Sequence, residues 1–343
     1  MESIHQSVLL HEVVQALVPK KEREASRPEI RNSKLEIRES KQNQISNIQS
    51  LISNLQSPTW YLDGTLGGAG HALAIAKAFK GQVNVIGLDR DPEALVRAEM
   101  KLKGQAHKVI LENESFRDLD KVLAKQGVSE VQMILLDLGL SSDQLTPAIE
   151  GSGRGFSFLR DEPLLMTMGD PAKYPFTAKE IVNSWEENVL ADIIFGYGEE
   201  RFARRIARAM INYREKKTIE TSGELAEIVK MSVPAFYRRG KTHPATKTFQ
   251  ALRIAVNDEL GALKEGLKKG FDCLSPGGRM AVISFHSLED RIVKNFYKEV
   301  SQNGGLIVTK KPIVPGDQEI AENPRSRSAK LRVIEKQRFE IRN

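Results

Sequence analysis

Asp63 stands directly before four glycines within seven residues, Gly64, Gly67, Gly68 and Gly70, and His71 follows them. A short apolar run, Trp60-Tyr61-Leu62, leads into the acid, and an Ala-rich helical pattern, Ala72 to Ala78, leaves the glycines. Strand, glycine turn, helix is the layout of a nucleotide-cofactor site at the carboxyl end of the first strand of an α/β sheet. Glycines serve there because a backbone without Cβ turns tightly and approaches a ligand closely. A second apolar run, Val83 to Leu88, stops at Asp89, where a carboxylate can accept hydrogen bonds from both hydroxyls of a ribose.

What the turn lacks constrains its ligand. Gly68 and Gly70 begin a G-x-G-x-x-G pattern, but Leu73 stands where the third glycine belongs, so a dinucleotide fits poorly. No G-K-[ST] follows, which excludes a phosphate loop. An acid directly before the glycines repels a diphosphate at short range and suits a ligand with a positive charge and no phosphate. S-adenosylmethionine, with its sulfonium, amino group and adenosine, is such a ligand.

The chain has 343 residues, enough for more than one folding unit, with 51 Lys and Arg against 45 Asp and Glu. The net charge of +6 permits a nucleic-acid partner, and its placement says more. Arg201, Arg204, Arg205, Arg208, Arg214, Lys216 and Lys217 crowd one stretch, and Arg325, Arg327, Lys330 and Arg332 another. A solvated helix face explains the first cluster about as well as RNA does. The single cysteine, Cys273, excludes an intramolecular disulfide and any Cys-based zinc cluster, and no metal is expected. The amino terminus carries no secretory pattern, and no apolar stretch approaches membrane-spanning length, so a soluble cytoplasmic protein is expected.

The elements that must position these residues follow from the periodicity. Strands are predicted at 58–63, 83–88, 107–112 and 131–138, with helices near 69–79, 91–103 and 115–126: a doubly wound, mostly parallel α/β sheet. The run from Val131 to Leu138 is continuously apolar, apart from Gln132 and Asp137, as a central strand covered on both faces requires. From about 146 to 245 the alternation gives way to helices, predicted at 177–184, 188–196, 199–215 and 221–232. A helix at 246–270, a strand at 279–284, a helix at 288–301 and two strand-like stretches at 306–311 and 330–339 resume the α/β pattern. The domain expectation is therefore 1–145 with 246–343 as one α/β domain and 146–245 as an inserted helical domain that recognises substrate. Residues 20–57 stand apart, with two heptad copies (E-I-R-N-S-K-L, E-I-R-E-S-K-Q) and an Ile45, Ile48, Ile52, Leu55 stripe. They read as a disordered or weakly helical insertion.

Long blocks of this sequence then carry a family resemblance. They include H-Q-S-V-L-L-H-E-V, L-D-G-T-L-G-G-A-G-H, G-L-D-R-D-P, L-L-D-L-G-L-S-S-D-Q-L and G-R-G-F-S-F. Y-G-E-E-R-F-A-R-R-I-A, H-P-A-T-K-T-F-Q-A-L-R-I-A-V-N, I-S-F-H-S-L-E-D-R and N-P-R-S-R-S-A-K-L-R follow in order. The chain resembles the RsmH (MraW) family of S-adenosylmethionine-dependent methyltransferases, which act on the exocyclic N4 amine of a cytosine in small-subunit ribosomal RNA. The resemblance implies cofactor contacts at Ala69, Gly70, His71, Asp89, Phe116, Asp137 and Gln144. The substrate is then ribosomal RNA or the assembling small subunit; the sequence leaves the oligomeric state open, a homodimer included.

Three departures from the family pattern stand out. Ala69 replaces a glycine, which is tolerable where φ is negative. Leu165, Thr167 and Gly169 replace Asp, Arg and Asp, and the 20–57 insertion is extra. On the substrate side, His243, Lys247, Arg253, His286, Arg325 and Arg327 are candidates; His286 reads equally as a helix cap before Ser287. Asp137, Ser141 and Ser142 are candidates for holding the reacting amine. Methylation at cytosine C5 would need a cysteine nucleophile, and Cys273 in F-D-C-L reads as a structural cysteine on a helix. Two other readings are an assembly factor that binds RNA without turnover and a methyltransferase for a small molecule or protein.

Overall fold

The computed structural model describes residues 7–17, 59–140, 153–240 and 242–337. The expected insertion at 20–57, and Gln144, Ser141 and Ser142, lie outside them. The chain divides into two compact units, residues 1–139 with 263–343 and residues 140–262.

The first unit is built on seven strands: β1 (Thr59–Asp63), β2 (Val83–Leu88), β3 (Lys108–Glu112), β4 (Val131–Asp137), β5 (Leu274–Ser284), β6 (Gly305–Ile307) and β7 (Lys330–Lys336). Their order is β3-β2-β1-β4-β5-β7-β6. β3, β2, β1, β4 and β5 run parallel, and β7 is antiparallel to both β5 and β6. This is the mostly parallel, doubly wound sheet that the periodicity predicts. Side chains alternate between its faces. Tyr61, Met133 and Leu135 enter one core with the helices Leu10–Leu17 and Gly70–Ala78. Leu62, Ile134 and Leu136 enter the other with Leu119–Lys125 and the apolar side of Leu263 to Phe271. Burying each such side chain stabilises the fold by about 1.5–3 kcal/mol, which is why these strands read as continuous apolar runs.

Strand order reverses between β1 and β4, so their carboxyl ends flank the crevice where α/β sheets bind ligands. Asp63 closes β1, Asp137 closes β4, and Asp89 follows the last residue of β2. The three acids thus stand along one sheet edge on three neighbouring strands.

The second unit is helical, with helices Ala178–Ser184, Glu187–Gly198, Ala203–Arg214, Ser222–Ser232 and Thr246–Asn257 around one apolar core. Capping boxes start two of them, Thr177 with Glu180 and Thr221 with Glu224. Three expectations are corrected here. The helix predicted over 246–270 is broken at Asp258, whose φ of 46° is left-handed, into Thr246–Asn257 and Glu259–Asp272. Phe249, Leu252 and Val256 bury into the helical core, so the second unit extends to 262 rather than 245. The strand predicted at 306–311 shortens to Gly305–Ile307.

Candidate cofactor site at the carboxyl edge of the sheet

The glycine turn is stapled to the strands on both sides. Gly64 N–H donates to the Leu135 carbonyl and Leu66 N–H to the Leu88 carbonyl, each at 2.9 Å. Thr65 adds a side-chain tie: its Oγ1 accepts the backbone N–H of Asp137 at 2.6 Å, while its own N–H donates to Asp63 Oδ1 at 3.2 Å. Asp89 closes the other flank, with Oδ2 accepting Gly67 N–H at 2.7 Å and Oδ1 accepting Asp91 N–H at 2.8 Å. Each Asp89 oxygen retains acceptor capacity, so a ribose can still be bound there.

Close approach explains two of the glycines. A Cβ on Gly64 would lie 2.5 Å from Leu136 Cδ2 and 2.8 Å from Phe116 Cβ, and one on Gly70 would lie 1.9 Å from Ser7 Oγ. Phe116, at the start of a short helical turn Phe116–Asp118, therefore sits against the glycine turn, beside Gly64. Ala69 corrects an expectation. It caps the helix Gly70–Ala78 with φ 58° and ψ 24°, in the left-handed region, not at negative φ. Its methyl is tolerated at a cost of about 1–2 kcal/mol, because the Leu66–Ala69 turn and the helix behind it fix the backbone.

His71 is buried, its Nε2 facing the Val8 carbonyl at 2.9 Å and its Nδ1 3.6 Å from Asp137 Oδ2. The amino-terminal block thus lies over the turn, Ser7 on Gly70 and Val8 on His71. Reading side-chain types alone missed Ser7, Val8 and Thr65, since a backbone carbonyl and a small hydroxyl leave no chemical signature; their place inside long family blocks was the available signal.

The electrostatics are one-sided. Burial pushes the Asp63 carboxyl up to about 6, with Asp89 adding repulsion and bonds from Tyr61 and Thr65 opposing it. Burial likewise raises Asp89, offset by its two backbone donors and by Arg97. Asp137 is held well above the usual carboxylate range by burial and by the charges of Asp63 and Glu289. Asp137 is recessed rather than sealed, with 22% of its side-chain surface open, which tempers that rise. Its Oδ1 is buried with no hydrogen-bond partner among the described residues. Acids gathered at one edge, one with an unused oxygen, favour a cationic ligand. S-adenosylmethionine passes that test of fit, and a diphosphate does not.

The substrate-side candidates divide differently. The Arg253 guanidinium grips Glu259 through two bonds of 2.7 and 2.8 Å, at the Asp258 break. His286 caps the helix Ser287–Val300 in a capping box with Glu289. Lys247 Nζ donates to the Glu199 carbonyl at 2.8 Å, closing the end of the helix Glu187–Gly198. His243 is exposed overall and stacks on Phe158 at 4.4 Å; partial desolvation of its ring, with Lys230, lowers its pKa. Arg325 and Arg327 are exposed on the short helix Pro324–Ser328. In the first unit, Arg325 and Arg327 share the segment just before β7, while His286 follows β5; His243, Lys247 and Arg253 belong to the second unit.

Cys273 is half-buried and follows the helix Glu259–Asp272, so it is neither helical nor fully enclosed as predicted. Its carbonyl accepts Val131 N–H at 3.0 Å, at the start of β4. Asp137 ends the same strand six residues on, roughly 20 Å away at 3.3 Å per residue.

The sequence profile of the MraW methylase family matches residues 2–337. A ribosomal RNA small subunit methyltransferase H from Persephonella marina (strain DSM 14350 / EX-H1) is 50% identical over 276 residues, covering 80% of this chain and 92% of the relative. The protein of the same name from Heliobacterium modesticaldum (strain ATCC 51547 / Ice1) is 46% identical over 294 residues, covering 80% and 92%. With the glycine turn and the strand-end acids in one sheet edge, and with relatives this similar along most of their length, the chain belongs to the MraW methylase family.

Proposed function

We propose that this protein transfers a methyl group from S-adenosylmethionine to the exocyclic N4 amine of a cytosine in small-subunit ribosomal RNA, without a covalent enzyme intermediate. The observation that carries the reading is the recessed Asp137 at the crevice edge of β1 and β4, its Oδ1 without a hydrogen-bond partner among the described residues and its charge coupled to that of Asp63. The RNA substrate is supported by the names of the relatives at 44–50% identity. Bound in this edge, the cofactor would supply a methyl group on a positively charged sulfur, open to in-line displacement.

The chain's own residues do the rest. Asp89 would take the ribose hydroxyls, Phe116 would pack near the adenine, and the turn Gly64–Gly70 would let backbone close on the ligand. Asp63 and Asp137 would compensate the positive charge, which restores both to the ionised form. A cytosine amine is a weak nucleophile because its lone pair is delocalised, and N4 must lose a proton on methylation. A carboxylate with a free lone pair holds such an amine in line and accepts its proton, and Asp137, part of whose side chain is open, is the candidate. Cys273 lies near the opposite end of β4, which disfavours C5 chemistry through a cysteine nucleophile.

Nucleoside mass spectrometry of ribosomal RNA from a deletion strain tests this. Loss of N4-methylcytidine at one small-subunit position, restored by the wild-type chain but not by Asp137→Ala, is expected; an unchanged nucleoside profile rejects the reading.

A further inference from the structure

An exposed aromatic platform stands in the helical unit. Phe236, in the four-residue helix Ala235–Arg238, is 66% exposed, far outside what core packing accounts for. The Arg201 guanidinium lies over three rings, 4.8 Å from the centroid of Phe202, 5.1 Å from Tyr237 and 5.6 Å from Phe236. The rings brace each other edge to face, Phe202 to Tyr237 at 4.9 Å and Phe202 to Phe236 at 6.4 Å. Beneath them the fully buried carboxylate of Glu200 accepts the Tyr237 hydroxyl at 2.5 Å and the Phe202 N–H at 2.8 Å. The platform is therefore preorganised from below and open from above. Arg238 and Arg239 are exposed beside it, and Arg238 reaches the exposed Met231 sulfur at 3.8 Å.

A rigid ring open to solvent, a guanidinium plane and two further arginines match a single-stranded polyanion with planar bases. Unpaired bases stack on aromatic and guanidinium faces, and the flanking phosphates bind the cations. We propose that Arg201, Phe202, Phe236 and Tyr237 form a stacking subsite for an unpaired base of the substrate RNA, with Arg238 and Arg239 on the neighbouring phosphates. This rests on the reading that the substrate is RNA.

The test compares the full-length wild type with Phe236→Ala and Phe236→Trp. The probes are a fluorescein-labelled single-stranded oligoribonucleotide of mixed sequence and small ribosomal subunits lacking the modification. Because Phe236 is exposed, the melting temperature should not move. Phe236→Ala should weaken binding of both probes about 5- to 150-fold, the range for losing one stacked base, and Phe236→Trp should keep it. Affinity for S-adenosylmethionine should be equal in all three. Unchanged RNA affinity in Phe236→Ala overturns the subsite. Equal loss in Phe236→Ala and Phe236→Trp overturns it too, as does a wild-type dimer that Phe236→Ala splits while RNA binding stays intact. If the wild type binds RNA through Phe236 but transfers no methyl group, the proposed function fails and the subsite stands. If it transfers methyl groups and Phe236→Ala keeps the same KM for RNA, the subsite fails alone.

Discussion

Thr65 and Asp137 are joined across the sheet by a 2.6 Å bond from the Asp137 backbone N–H to the threonine hydroxyl. Through it, the glycine turn after β1 sets the height of the acid that ends β4. Thr65→Val keeps the shape and removes the acceptor. An unpaired N–H at this depth costs about 1–3 kcal/mol, so the variant should melt lower and bind S-adenosylmethionine more weakly. Calorimetry showing wild-type affinity and melting would mean that the turn and β4 are positioned by other contacts.

Asp63 gives the protein a pH signature. Its folded carboxyl titrates at about 6, above its ordinary 3.8, so the folded state holds the proton more tightly than the unfolded chain. A raised acid lowers stability as pH climbs from about 4 through 6, by roughly 2–3 kcal/mol in all, and the loss is constant above that window. Asp63→Asn escapes this penalty. Its stability relative to wild type, without cofactor, should therefore grow across that window and then level off. A difference independent of pH would show that Asp63 is not the strained acid. The same variant should bind the cationic cofactor less well.

Ala69 holds a left-handed backbone that a glycine would accept without strain. Ala69→Gly should stabilise the protein by up to about 1 kcal/mol, the strain relief being partly offset by the looser unfolded chain. Thermal melts that fall instead would show that the methyl packs in the core more than it strains the turn.

Much of this architecture was legible because burial leaves a pattern. The runs of β2 and β4 are apolar since both faces are covered; β4 ends on an acid and β2 is followed by one, where the crevice begins. The break at Asp258 left no such trace: no glycine or proline punctuates R-I-A-V-N-D-E-L, and the helix ends because Asn257 and Arg253 find partners that fix the turn. Asn257 donates to the Met166 carbonyl at 2.7 Å and accepts Met168 N–H at 2.9 Å, ninety residues away in sequence. Arg253 looked like a phosphate ligand because its type suits one, and only the fold reveals the Glu259 carboxylate facing it. Ala69 misled for a related reason, since φ is set by the turn and not by the residue.

Arg325 and Arg327 offer a separable test of RNA contact. β7 is already pinned by Arg332 on Asp290, at 2.6 and 3.2 Å, and by Arg279 on Glu335, at 2.8 Å. Changing Arg325 and Arg327 together to Ala should leave the melting temperature and cofactor affinity alone. RNA binding should weaken, and its salt dependence should flatten by roughly one to two ions' worth of slope, since each neutralised phosphate releases counterions. A lower melting temperature with an unchanged salt slope would assign these arginines to the fold instead.

The decisive observable is the atom that receives the methyl group. The purified chain and Cys273→Ala would each be incubated with isotopically labelled S-adenosylmethionine and small ribosomal subunits from a strain lacking the gene, and the RNA digested to nucleosides for mass spectrometry. Label is expected in N4-methylcytidine, at one equivalent per subunit and at equal rates for both proteins. Label in 5-methylcytidine, lost with Cys273→Ala, or no label in RNA at all, would contradict transfer to N4.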